Sequence, residues 1–397
     1  MAKPLEGVVV LDMTRVLAGP YATMMLADLG ARVIKVERPG VGDDSRIFGP
    51  FKNDKSAYYV SLNREKESIA VDLKKPEGVE LIKRFVKKAD VICENFRPGT
   101  MEKLGLGYDV LKEINPKIIY AATSGYGHTG PWSKKPCYDM VAQAAGGIMS
   151  ITGQPDGTPT RVGASIGDIL SGIFTCNGIT AALYRREVTG EGTKIDVSMV
   201  DCQVAILENA LVRYQIEGVV PKPLGARHGT IVPFQAFKTK DSWIIIPVGN
   251  EKMWKNLCIA VKREDLTEDE KFYCNKVRVE NKDELIPIFE EIFLTDTTEN
   301  WIKVLEANNF PCTPICNVAD VMSNPQLLAR EMFVKTEYPE IGEITVAGNP
   351  IKMSCFEETG VRGPAPTIGQ HTDAVLTEVL GYSEEEVKKL REAEAIV

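Results

Sequence analysis

The sequence predicts an α/β protein: a doubly wound parallel sheet interrupted by a smaller α+β domain. Three observations lead there. Apolar, β-branched runs alternate with amphipathic stretches through the first two hundred residues. Those runs are nearly continuous in apolar character, as strands covered on both faces require. Past Gly218 the texture changes to GVVPKPLGARHG, rich in Gly, Pro and basic residues, and then to a hairpin pattern.

Taken in order, Val8–Met13 reads as a strand, Pro20–Leu29 as a helix and Arg32–Glu37 as the next strand. Ile69–Leu73 is a further strand. Pro76 then opens a helix that runs to about Lys88, proline being tolerated in a first turn. Asp90–Glu94, Lys117–Thr123 and Lys194–Met199 complete the strand set, with long helices expected over Asp168–Arg186 and Cys202–Glu217. Beyond the linker come the hairpin Phe234–Lys238 and Trp243–Val248, charged helices to about Asn309, strands at Glu343–Val346 and Ile351–Ser354, and a polar helix, Ser383–Ala393. The domain division is 1–217 for the first part of the large domain, 218–320 for linker and small domain, and 321–397 for the return to the large domain.

A chain of 397 residues exceeds one compact core. Its 47 Lys and Arg against 55 Asp and Glu give a net charge of −8, which argues against nucleic acid or an acidic membrane as partner. No uninterrupted apolar run approaches the ~18 residues of a membrane span, and MAKPLEGVVVLDM lacks the pattern of a signal peptide. A cytoplasmic protein is expected. The nine cysteines are scattered without a CxxC, and with only three histidines no metal-ligand set is visible, so reduced, mostly buried thiols are expected.

The first strand–helix–strand unit has the spacing of a dinucleotide fold, with Glu37 ending the second strand. Its turn, however, reads Arg15-Val-Leu-Ala-Gly-Pro20 rather than GxGxxG, which disfavours nicotinamide and flavin cofactors. Arg38 follows the second strand and reads equally as a phosphate contact or a solvated surface residue. Asn95-Phe-Arg-Pro-Gly99 follows a strand, where ligands bind in open α/β sheets, and Lys103 lies just beyond; an ordinary turn would explain Pro98-Gly99 as well. Ser124-Gly-Tyr-Gly-His-Thr-Gly-Pro131 has three glycines and no P-loop Lys-Ser pair. Asp139, opening a helix after Tyr138, reads first as an N-cap. Asp168, within Gly163-Ala-Ser-Ile-Gly-Asp168-Ile-Leu-Ser-Gly172, is the only acid between Asp156 and Glu187. Small residues surround it, and the start of an apolar helix would keep its carboxylate ionised. An N-cap role and a reactive role both fit there.

Together these segments resemble the class III CoA-transferases, the family of formyl-CoA:oxalate and carnitine CoA-transferases. The stretches that carry the resemblance are LEGVVVLDMTRVLAGPYATMMLADLGARVIKVERP, NREKESIAVDLKKPEG, ADVICENFRPGTMEKLGLGYDVLKEINPKIIYAATSGYG, YDMVAQAAGGIMSITG, TGEGTKIDVSMVD and IGQHTDAVLTEVLGYSEEEVKKL. The resemblance implies a Rossmann-like large domain, a small domain and an interlocked, ring-like homodimer. It implies Asp168 as nucleophile, and Val16 and Leu17 as the turn whose backbone receives coenzyme A. Arg38 and Lys74 become phosphate contacts, Asn95 and Phe96 the CoA-binding pair, and Tyr138 and Asp139 active-site residues. Lys103 stands where relatives often carry arginine. Gly225–Gly229 occupies the place of a glycine-rich closing loop but is not a run of glycines.

The expected reaction moves CoA between carboxylic acids, with acyl-CoA and a free acid as substrates and no prosthetic group. Backbone N–H groups near Gly167 or in the Gly125–Gly130 loop are expected to face the tetrahedral oxyanion. Arg15, Tyr138, Arg227 and His228 are candidates for tuning the substrate. The rival within the same fold, an α-methylacyl-CoA racemase, needs two bases at the α-carbon. Such enzymes carry a histidine where this chain has Tyr138. Asp168 counts against a CoA-binding protein without turnover.

Overall fold

The computed structural model describes residues 3–356 and 360–397. The chain divides into two compact units, one of Met1–Met149, Arg161–Val219 and Pro325–Val397, the other of Ser150–Thr160 and Val220–Asn324.

The first unit is built on six parallel strands: β1 (Val9–Asp12), β2 (Arg32–Glu37), β3 (Glu67–Ala70), β4 (Val91–Glu94), β5 (Ile119–Ser124) and β6 (Thr193–Ser198). Their order is β3-β2-β1-β4-β5-β6. Successive side chains of a strand point to opposite faces, and both faces are covered. Leu11, Ile34, Ile92 and Tyr120 pack with Phe85 and the C-terminal Val375 and Leu376, whereas Val10, Val33, Val91 and Ala121 pack with Leu26 and Ile179. This two-sided burial is why the strands read as continuous apolar runs. The direction of winding reverses between β1 and β4, and a crevice forms beyond the carboxyl ends of strands at such a point.

Helix α1 (Ala18–Asp28) follows β1, α2 (Pro76–Val86) follows β3, and α3 (Asp139–Ala145) and α4 (Ile166–Thr189) lie between β5 and β6. Gly172 lets α4 approach α1 closely: a methyl group there would stand 2.8 Å from the Ala18 carbonyl oxygen and 3.1 Å from the Tyr21 side chain. Helix α4 ends at Gly190, whose φ of 76° is the left-handed cap that glycine supplies most easily. By length and composition α4 is apolar enough to cross a membrane, which a reading of uninterrupted apolar runs misses; Gly172, Thr175, Cys176, Ile179 and Leu183 are buried in the unit.

Two local expectations are corrected. Cys202–Glu217 is not one helix but Met199–Ala205 and Asn209–Glu217. Between them the Ile206 and Leu207 N–H groups turn back to Gln203 and Val204, and Glu208 takes a φ of 47°. Ile351–Ser354 is not a strand: Pro350 has no N–H to donate, and the Ile351 N–H bonds locally to the Asn349 side chain. Gly342–Ala347 pairs instead with Phe333–Tyr338, a strand of alternating burial that sequence reading passed over. Of the nine free cysteines, Cys93, Cys176, Cys202 and Cys258 are buried, Cys137, Cys274 and Cys312 partly so, and Cys316 and Cys355 exposed.

The second unit pairs Phe234–Lys238 with Trp243–Pro247 as an antiparallel hairpin, extended by Thr313–Pro314. Phe237, Trp254, Phe289 and Phe293 form its aromatic core. The segment holding Gly225–Gly229 is tied down: Gly225 N–H donates to Gly153 O, His228 N–H to Phe234 O, and Ala226 O accepts from Ala236. Arg227 and His228 line a hollow of this unit together with Gln235, Lys282 and Asp283.

Candidate active site

Two loops meet where the sheet reverses. Asn95, just past β4, clamps the turn past β1. Its Oδ1 accepts the Arg15 N–H at 2.9 Å, and its Nδ2 donates to Arg15 O at 2.7 Å. The next residue, Val16, has a φ of 69°, unfavourable for a β-branched side chain. Such a conformation persists only where its surroundings impose it. Here the Val16 N–H donates to Asp43 Oδ1 at 3.0 Å, and Asp43 in turn holds Lys35 at 2.7 Å with both side chains buried. Lys35 Nζ also donates to Thr14 O at 2.8 Å. Beneath them Lys66 reaches Asp12 at 3.1 Å, Thr23 Oγ1 at 2.8 Å and Asn63 Oδ1 at 3.0 Å. Burial works against ionising Asp43 and Asp12, but the neighbouring lysines and hydrogen bonds hold both carboxyls below the usual carboxylate range.

Above this support opens a cleft of about 190 Å³. Val16, Leu17, Asn95, Phe96, Tyr138 and Asp168 line it, six of the ten sequence candidates. The other four lie elsewhere. Asp139 is buried behind Gly167. Arg38 is exposed and bonds to Asp44. Lys74 and Lys103 share a separate hollow with Lys75 and Lys83. The Val16 N–H, being held by Asp43, is not the part of the turn offered to a ligand.

Asp168 lies in the first turn of α4. It is not the N-cap; Ser165 is, without a side-chain capping bond. Nor is Asp139 an N-cap, since Tyr138 holds that position. Asp139 instead reaches across to α4, accepting the Gly167 N–H on Oδ1 at 2.8 Å, while Gln143 Nε2 donates to its Oδ2 at 2.8 Å. The Gly167 N–H is therefore occupied and is not a free oxyanion donor. A methyl at Gly167 would lie 3.0 Å from Asp139 Oδ1, so even the smallest side chain there would crowd this contact. Among the described residues, no side chain or N–H donates to the Asp168 carboxylate and no cation pairs with it. Burial, and then the negative charge of Asp139, push its pKa up to about 7. The effect expected of the helix start, an ionised carboxylate, is opposed here by burial beside a like charge.

Sequence reading missed several neighbours of Asp168. Tyr58 is pushed up to about 12 by burial and by the charges of Asp168, Asp43 and Asp139. Cys137 lines the cleft and is pushed up to about 11 by burial and by the same two acids, Asp168 and Asp139, so its thiol is an inert wall rather than a second nucleophile. Asp44, Lys135 and Met199 also line the cleft. None has a local motif. Next to the cleft, the Glu94 carboxyl is pushed up to about 7 by burial, accepts the Phe96 N–H at 2.8 Å and lies 3.6 Å from His128 Nε2.

The family model for CoA-transferase family III matches residues 5–372, and the chain belongs to that family. It is an enzyme of the CoA-transferase class.

Among similar proteins, succinyl-CoA:glutarate CoA-transferase of Homo sapiens is 44% identical over 392 residues, covering 98% of this chain and 89% of that protein. Acetyl-CoA:oxalate CoA-transferase of Acetobacter aceti is 41% identical, covering 94% and 95%. A solved CAIB/BAIF family protein from Brucella suis superposes with a TM-score of 0.84 at 36% identity, covering 96% of this chain and 100% of that one.

Proposed function

We propose that this enzyme transfers CoA between dicarboxylic acids through covalent intermediates on Asp168. The observation that carries the reading is a carboxylate at the cleft wall with, among the described residues, no hydrogen-bond donor or cation of its own. A carboxylate so placed is weakly stabilised and therefore a better nucleophile than one in an ion pair. The substrate class rests on relatives named for succinate, glutarate, oxalate and mesaconate.

Ionised Asp168 attacks the acyl carbonyl of the acyl-CoA, forming a mixed anhydride and expelling CoA thiolate. The thiolate attacks the aspartyl carbonyl, giving an aspartyl-CoA thioester and releasing the first acid with one oxygen taken from Asp168. The incoming carboxylate attacks that thioester, forming a second anhydride through its own oxygen and expelling the thiolate again. Attack of the thiolate on the new acyl carbonyl forms the product thioester and restores Asp168, now carrying the acceptor's oxygen. Covalent capture divides one difficult exchange into four acyl transfers, provided water is kept out. Val16, Leu17, Asn95 and Phe96 form the seat for CoA, with Arg38, Lys74 and Lys103 as its phosphate contacts, and Asp139 sets the position of Gly167 and the charge beside Asp168.

The reading extends to an interlocked homodimer in the cytoplasm. The exposed apolar side chains Ile173, Phe174 and Tyr184 along α4 support a second chain, and nine free cysteines suit a reducing compartment.

The test is an incubation in deuterium oxide of several acyl-CoA donors with a panel of free acids, followed by mass spectrometry of the thioesters. New acyl-CoA species, lost with Asp168→Ala, are expected. Deuterium at the α-carbon without new thioesters would replace this reading with a racemase.

A further inference from the structure

We propose that Arg15 is a specificity residue that reads the second carboxylate of a dicarboxylic substrate, the first being at Asp168. This deepens the transferase reading above and rests on it. Arg15 lines the same cleft as Asp168, and its position is built rather than loose. Asn95 holds its backbone through both N–H and C=O. The guanidinium stands 5.7 Å from the Phe96 ring centre, a flat support that leaves its edge open.

The hydrogen bonding of that edge is incomplete. Arg15 Nη1 donates to Asp44 Oδ2 at 2.7 Å, while Nε and Nη2 meet no acceptor among the described residues. A guanidinium offers a planar fork that matches a carboxylate in two parallel bonds, and one acceptor on one nitrogen leaves that capacity unused. Charge points the same way. Asp44 is shared, Arg15 on Oδ2 and Arg38 on Oδ1, so two cations meet one anion at the rim of a cleft in a chain of net charge −8. Lys135, another cation of the cleft, is engaged over the Trp132 ring at 4.1 Å. An incoming carboxylate would complete the Arg15 fork through Nε and Nη2, beside the Nη1 bond to Asp44. A terminal methyl in the same place would leave the fork as incomplete as before.

The experiment uses the full-length enzyme. Wild type is assayed with the dicarboxylate it turns over best among oxalate, succinate, glutarate and mesaconate, and with the monocarboxylate of the same chain length. The Kd for free CoA is measured by calorimetry. Arg15→Gln is expected to lower kcat/KM for the dicarboxylate by roughly 30-fold, the size expected when a charged hydrogen-bonding partner is lost. The monocarboxylate rate and the CoA Kd should stay within about twofold, which also shows the variant folded. Arg15→Lys, keeping charge without the fork, should fall between the two.

The proposal is overturned if wild type prefers the monocarboxylate, if Arg15→Lys keeps full selectivity, or if the CoA Kd rises in step with the loss, which would make Arg15 a contact for CoA phosphate. Absence of any new thioester with wild type would instead remove the transferase reading itself.

Discussion

The first unit buries carboxylates in two ways within one neighbourhood. Under the β1–α1 turn, Asp12 meets Lys66 and Asp43 meets Lys35, each with further hydrogen bonds, and both carboxyls are held low. At the cleft, Asp168 meets no cation among the described residues and has Asp139 as its charged neighbour, and it is pushed up to about 7. The first arrangement makes a rigid foundation that forces Val16 into an unfavourable backbone conformation. The second leaves a carboxylate in want of a partner, which a reacting carbonyl can supply. Glu94 marks the limit of the contrast: it is also pushed up to about 7, yet it accepts the Phe96 N–H and the Tyr120 hydroxyl and does not line the cleft. A raised pKa is therefore shared by both groups; what separates Asp168, the proposed nucleophile, is its place on the cleft wall without a donor among the described residues.

The largest effect that sharpens this contrast is expected in the foundation. Asp43→Ala strands Lys35 in a buried site and should cost about 3–5 kcal/mol in a urea unfolding experiment. A loss below about 1 kcal/mol would mean that the pair is not structural.

The cleft should show the opposite sign. The folded-state pKa of Asp168 is raised above its unfolded value, so its contribution to stability is present below pH 4 and is lost as pH rises through about 7. Asp168→Asn removes that penalty and should therefore stabilise the protein at pH 8, by an amount of order 2 kcal/mol, with no difference at pH 3.5. Thermal unfolding at the two pH values checks it, and destabilisation at pH 8 would contradict the contrast.

The smallest effect concerns the like charge. The acid limb of kcat/KM should rise through about pH 7 as Asp168 ionises. Asp139→Asn keeps an acceptor for the Gly167 N–H but removes the charge, so the limb should move to lower pH by roughly one unit. An unmoved limb would assign the elevation to burial alone.

The sheet was largely legible because two-sided burial writes itself into the sequence as long apolar runs, and Asp168 because it is a lone acid among small residues. The helix break at Ile206–Glu208 was not, since no Gly or Pro marks it and the turn is made by local backbone hydrogen bonds to Gln203 and Val204. Asn95 was readable as a loop residue past a strand, but its clamp on Arg15 joins positions eighty residues apart. Asp43, Tyr58 and Cys137 carry no motif; each reaches the site through the fold. The raised pKa of Asp168 was not legible, because the helix start is visible in sequence, whereas the approach of Asp139 from another helix is not.

The central claim, that Asp168 carries the acyl group and CoA in turn, is tested most directly by following oxygen. The enzyme is turned over with an acyl-CoA donor and a dicarboxylic acceptor labelled with heavy oxygen in its carboxyl groups, then digested and the peptides weighed. The mechanism predicts heavy oxygen in the Asp168 side chain after one turnover, and in both of its carboxylate oxygens after many. Labelled product thioester formed while Asp168 stays unlabelled would contradict it.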